Sequence, residues 1–197
     1  MAELGYGSGS PGTVLRTSVA RLYSNLVTRP TGRAVRLAIE KQMEEVRGVC
    51  LSILDFSHVG VVDFSCADEV IAKLLLRHRD RAQAADAFFV AHGVSDHHRD
   101  PIEAVLRRHG LLLVAVGTDG HRDLWGPVPG RLQAAWLQLD ELGRADPQDF
   151  AAARGLPAPV ARSWLGRLVA GRVAMRDGDG CVCSLCSLLE GRGTTQS

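Results

Sequence analysis

At 197 residues and 46% hydrophobic content, the chain can hold one ordinary domain and a small second one with real cores, and it reads as globular. Its 23 basic residues against 22 acidic give a formal charge of +1, which excludes an overall field drawing it to nucleic acid or membrane. No leader-like amino terminus and no apolar run of bilayer length is present, so a cytoplasmic protein that binds no membrane is expected. Five cysteines, at 50, 66, 181, 183 and 186, are an odd set partly embedded in apolar segments, and no disulfide framework is expected.

Residues 1–12, MAELGYGSGSPG, read as a tail. Their glycines do not make a dinucleotide loop, because no strand precedes them, Ser10 stands where the fingerprint needs Gly, and Pro11 follows. From Thr13 to Thr28 the apolar residues recur at roughly helical spacing, while LRTSVA alternates as a strand would, so both readings stay open. Thr31 is expected to cap a helix to about Val46, with Val35, Ile39 and Met43 on its apolar side. VCLSILDF is a continuous apolar run of strand length, the signature of a strand buried on both faces. After the shorter VGVVDF, the spacing of Ala67, Val70, Ile71, Leu74 and Leu75 predicts a helix over 67–75. DAFFVAHG is a second buried strand, Asp100-Pro101 opens a helix that His109-Gly110 closes, and LLLVAV is the last strand. The alternation predicts a layered α/β domain over 13–125 with right-handed crossovers.

GPVPGR, residues 126–131, marks a linker, and 132–189 has a different grammar. Leu132, Trp136, Leu139 and Leu142 share a helical face, DPQDFAAARG is a short helix closed by Gly155, and LPAPVARSWLGRLVAG is a third closed by Gly171. RVAMRDGDGCVCSL then reads as two strands about a turn at residues 177–180, which makes a winged helix-turn-helix; residues 190–197 are a tail.

LSILDFSHVGVVDFSCADEVIAKLL resembles the core of STAS domains, the fold of anti-anti-sigma factors and of sulfate-transporter cytoplasmic tails, and the ADE of residues 67–69 looks still more like a divergent STAS-like branch of bacterial proteins. The likeness covers roughly residues 30–125, with Asp55 and Asp63 at the family's two acidic strand ends. It implies a serine at the helix start, Ser65 here, that is phosphorylated by a partner kinase doubling as an anti-sigma factor. Phe64 stands where the family has a small residue and Cys66 where it has glycine, which crowds a kinase's approach. FAAARGLPAPVARSWLGRLVAGRVAMRDGDG is similar to winged-helix domains of bacterial transcription regulators, which implies contacts to double-stranded DNA from Arg162 and Arg167 on the recognition helix and from Arg172 and Arg176 on the next strand. Residues 131–190 carry seven acidic and seven basic side chains, so this unit has no net basic footprint.

Ser65 therefore has two readings: a helix cap with Asp68 three residues on, or a phosphorylation switch near the helix N–H groups that Asp63, Asp68 and Glu69 would oppose. Asp55, Asp63, Cys66, Asp68 and Glu69 form the rim that a protein partner is expected to read. CVCSLC offers three thiols where a closed zinc site needs four ligands, so packing is the expected role and no metal or cofactor is assigned. AHGVSDHHRDP gathers His92, His97 and His98 with Asp96 and Asp100; Asp100 is expected to be a cap and the histidines loop surface, with a metal or acid–base site as the alternative. No hydrolase elbow, phosphate loop or zinc-protease helix is present. The expected function is a non-enzymatic regulator that switches protein partners through the STAS-like part and delivers output through the winged helix. The alternatives are a DNA-binding regulator whose STAS-like part senses or homodimerises, and a two-domain protein adaptor.

Overall fold

A computed structural model of the chain describes residues 12–79 and 85–190. Apart from Gly12 and Glu190, the two expected tails lie outside the described residues. The chain divides into two compact units, Gly12–Pro129 and one beginning at Gly130.

The first unit is mixed α/β, built on a five-stranded sheet in the order β1-β2-β3-β4-β5. Strands β1 (Thr13–Ser18), β2 (Gly48–Asp55), β3 (Ala85–Val94) and β4 (Leu113–Gly117) are parallel, and β5 (Arg122–Trp125) runs antiparallel to β4. Each parallel strand lies beside its predecessor, so crossovers of the usual right hand all step the same way and put their helices on one face. The core agrees: Cys50 and Leu54 of β2, Ala87, Phe89 and Ala91 of β3, and Leu113 and Ala115 of β4 share one apolar cluster with those helices. The alternate residues Leu51, Ile53, Phe88, Val90, Val114 and Val116 are buried too, which is why these strands read as unbroken apolar runs.

The crossovers are α1 (Val19–Leu22) with α2 (Arg29–Glu44), then α3 (Phe64–Ala67), a π-helical turn (Asp68–Ala72) and α4 (Lys73–Arg79) as one continuous helical rod, and then α5 (Asp96–His109). One open reading is settled and three sequence expectations change. Thr13–Ser18 is an edge strand followed by a single helical turn. Thr28, not Thr31, caps α2: its side chain accepts the Thr31 N–H at 3.3 Å, and Pro30 sits in the first turn, where its fixed φ suits a helix. Helix α5 begins at Asp96 rather than after Asp100, because Ser95 and His98 form the cap, and Pro101 falls inside the helix. LLLVAV is not the last strand, since β5 returns antiparallel along its edge.

A bulge near the end of β3 shapes the surface above the sheet. Gly93 has φ +66°, the β3–β4 register shifts between His92 and Val94, and a Cβ at Gly93 would come within 2.1 Å of Ser57 Oγ. The loop after β2 can therefore lie directly on β3, with Phe56 N–H donating to His92 O at 2.8 Å.

The second unit comprises α6 (Gly130–Leu142), β6 (Arg144–Ala145), α7 (Pro147–Arg154), α8 (Ala158–Ala170), β7 (Ala174–Arg176), β8 (Val182–Ser184) and α9 (Leu185–Glu190), with an antiparallel sheet ordered β6-β8-β7. Trp136, Leu139, Phe150, Leu165, Leu168 and Val182 are buried. Asp146 caps α7 by accepting from Gln148 N and Asp149 N at 2.7 and 2.8 Å. The β7–β8 turn is held by Asp177, whose carboxylate accepts Asp179 N, Cys181 N and Arg144 Nε at 3.0, 2.9 and 2.7 Å.

Candidate functional site

The candidate site is the amino end of the α3 helix and the strand-like segments around it. Residues 24–26 run alongside 60–63: Gly60 N–H donates to Ser24 O, Leu26 N–H to Val61 O and Asp63 N–H to Leu26 O, each at 2.8 Å, with Leu26 and Val62 as parallel partners. Leu26 and Val62 point inward and are buried. Extended chains alternate their side chains, so the neighbouring Val27 and Val61 turn outward, each 52% exposed, beside Phe64 at 59%. The sequence reading missed this apolar surface. Its one signal was Phe64, a large apolar residue at the first position of a helix.

Asp63 is the cap, which corrects the assignment of that role to Ser65 with Asp68. Asp63 Oδ1 accepts the Cys66 N–H at 2.7 Å, and Ser65, already inside the helix, donates its hydroxyl to the same oxygen at 2.9 Å. Partial burial alone would raise the Asp63 pKa; the Cys66 amide and Ser65 hydroxyl outweigh it and hold the carboxyl below its ordinary range. Cys66 is fully buried and so is no part of the surface. Its thiol donates to Thr28 O at 2.9 Å, and burial, with the nearby Asp63 charge, pushes it up to about 11. Gly32 of α2 permits this close approach, because a Cβ there would sit 2.9 Å from Cys66 Cα.

The other expected rim residues are engaged from within. Asp55, at the end of β2, accepts Ser57 Oγ and N at 2.6 and 3.0 Å and Arg16 Nε at 3.0 Å; burial works against it, but these bonds bring its carboxyl down to about 2. Asp68 and Glu69, in the π turn, share Arg29 of α2, and Asp68 also reaches α5. Asp68 meets His109 Nε2 of α5 at 2.9 Å and Arg29 Nη1 of α2 at 3.2 Å. Glu69, 3% exposed, takes Arg29 Nη1 at 3.0 Å, Arg36 Nη2 at 3.4 Å and Lys73. Burial opposes ionisation of both, and their cationic and hydrogen-bonding partners still lower both pKa values. Glu40 extends the network through Arg36 at 2.9 Å and Arg77 at 2.8 Å.

The histidine-rich stretch is dispersed. His92 Nδ1 lies 3.2 Å from Arg16 Nη2, and His97 is exposed. His98 is 1% exposed, correcting its expected place on a loop surface: its Nδ1 accepts the Ser95 N–H at 3.2 Å and its Nε2–H donates to Val59 O at 3.0 Å, a pair that selects the neutral imidazole. Asp100 is no cap. A hollow of about 280 Å³ opens at the carboxyl ends of β3 and β4, between His97 at the start of α5 and Thr118, Asp119 and His121 of the β4–β5 turn. Arg99 at its rim is engaged by Glu103 and Asp123 at 2.9 and 3.1 Å. Among the described residues no group of three or more His, Cys, Asp or Glu side chains is placed to hold a metal ion.

In the second unit Arg162 and Arg167 are exposed on α8, with no ion pair among the described residues. Arg172 has φ +58° in the turn before β7, and Arg176 braces the β7–β8 turn by donating to Gly180 O at 2.7 Å. Cys183 and Cys186 are buried, and burial pushes the Cys183 thiol up to about 11. Among the described residues no helix is long and apolar enough to cross a membrane. Compared with known proteins, the chain matches no family model, no curated protein and no solved structure.

Proposed function

We propose that this chain is a non-enzymatic regulatory protein that works by exchanging protein partners. The first unit is read as a STAS-like module and the second as a winged helix that delivers the output. The observation that carries the reading is the exposed trio Val27, Val61 and Phe64, set on a hydrogen-bonded frame beside Ser65. A largely solvent-facing phenylalanine with two half-exposed valines suits a contact surface. Ser65 supplies the switch: a phosphate on its oxygen removes the hydroxyl's bond to Asp63 and sets like charges against each other at the helix cap. The test is recovery of complexes from the host by the tagged full chain and by its Phe64→Asp variant. A partner held by the first and lost by the second is expected; equal recovery rules this face out. Intact mass after co-expression with host kinases should show added phosphate that Ser65→Ala abolishes.

A second reading, a DNA-binding regulator, is favoured by the helix–strand–helix–helix–strand–strand order of the second unit and by Arg162 and Arg167 exposed on α8. If it holds, replacing both arginines by alanine weakens duplex binding and flattens its dependence on salt. An unchanged salt slope counts against these contacts.

A further inference from the structure

We infer that the Val27–Val61–Phe64 face takes an acidic protein segment carrying an apolar anchor. This rests on the reading of that face as a docking surface, and it reverses the charge expected from the sequence.

The four carboxylates that sequence places around this face are closed off from a partner. Asp55 is bonded by Arg16 and Ser57, Asp63 by Ser65 and Cys66, Asp68 by Arg29 and His109, and Glu69 by Arg29, Arg36 and Lys73. The charged side chains that flank Val27 on its C-terminal side and face outward are cationic. Arg29 follows Val27 by two residues and is 53% exposed; it uses Nη1 for both Asp68 and Glu69, so its other nitrogens stay directed away from those bonds. Arg33 lies one helical turn further on α2, exposed and on the same side as Arg29. Arg33 forms no ion pair among the described residues.

An apolar centre edged by guanidinium groups is complementary to carboxylates flanking an aromatic or aliphatic side chain, because Arg binds carboxylates through paired donors. A second copy of this chain is a poorer occupant: a two-fold contact through this face would set arginine edge against arginine edge.

The experiment pans a displayed library of random peptides against the full chain and measures the selected peptides by fluorescence anisotropy. Enrichment in Asp and Glu around an aromatic or aliphatic residue is expected. Binding should weaken by about tenfold with Phe64→Asp, by several-fold with Arg33→Glu, and progressively with added salt. These positions are exposed, so circular dichroism of the variants should match the parent. Peptides that need Phe64 but are basic or uncharged overturn the acidic-segment inference and leave the docking face standing. No selected peptides, or peptides indifferent to Phe64→Asp, overturn both. Self-association of the full chain that is lost in Phe64→Asp identifies a second copy as the occupant and also overturns the inference.

Discussion

Asp63 and Ser65 are both good capping residues two positions apart, and the fold uses the first as the cap and the second as a donor to it. Asp63→Ala should therefore cost about 1–2 kcal/mol in chemical denaturation. Ser65→Ala, which removes one bond from a half-buried hydroxyl, should cost less than about 1 kcal/mol. Equal losses would mean that Ser65 contributes as much to the helix start as its neighbour. The cysteines divide by burial: Cys50, Cys66, Cys183 and Cys186 are buried, and Cys181 is the partly exposed one of the five. Burial raises the thiols of Cys50, Cys66 and Cys183 to about 11, so they stay protonated near neutrality. A thiol reagent added to the native protein should label Cys181 first and the other four only on unfolding, as peptide mapping will show.

The helical rod 64–79 and α2 are joined by a buried ionic network as well as by apolar packing, and Glu69 is its centre. Removing a carboxylate that is 3% exposed takes one partner each from Arg29, Arg36 and Lys73 while Arg36 keeps Glu40 and Arg29 keeps Asp68, so Glu69→Ala should lower stability by about 1.5–3 kcal/mol, the range for a lost bond to a charged group. A loss no larger than that of an exposed pair would show that solvent screens the network. This network was illegible in the sequence because its members are far apart in the chain, with Arg29 and Arg36 on one helix, Glu69 and Lys73 on the next and His109 on a third. Strands β2, β3 and β4 were legible, since burial on both faces leaves unbroken apolar runs. Strand β1 was ambiguous because an edge strand mixes exposed Arg16 with buried Thr17, and β5, four residues with Arg122 and Asp123 at its start, has no apolar run at all. The start of α5 was misplaced because Asp-Pro is a common helix opening, whereas here the Ser95–His98 pair wins. The acidic positions of the candidate site were picked out by the family resemblance, but their neutralisation was not legible, because it depends on tertiary partners.

Across the whole molecule, two sets of groups set the response to acid. His98 is held neutral by burial, by the Ser95 N–H its Nδ1 accepts and by the neighbouring His97, so its pKa in the fold lies below the ordinary 6.5. The unfolded chain takes up that proton first, so stability is full above pH 6.5 and declines as pH falls toward the folded value. Asp55, Asp63, Asp68, Glu69 and Asp177 all lie below their reference values of 3.8 for Asp and 4.5 for Glu, and their contribution is full above these and lost as pH falls through the folded values. Denaturation midpoints measured against pH should show a shallow decline below 6.5 and a steeper one below 4.5, with the shallow step absent in His98→Gln. A flat profile down to 4.5 would mean that His98 titrates normally. The strand order β1-β2-β3-β4-β5 carries a consequence for how the chain is made. Each strand pairs with the one synthesised just before it, so no strand waits for a distant sequence to appear. A chain leaving the ribosome can lay down its sheet one βα step at a time, with each new helix covering the strand beneath it. The hairpin return of β5, directly after β4, pairs the last parallel strand and leaves a short four-residue strand as the edge before the second unit has been translated.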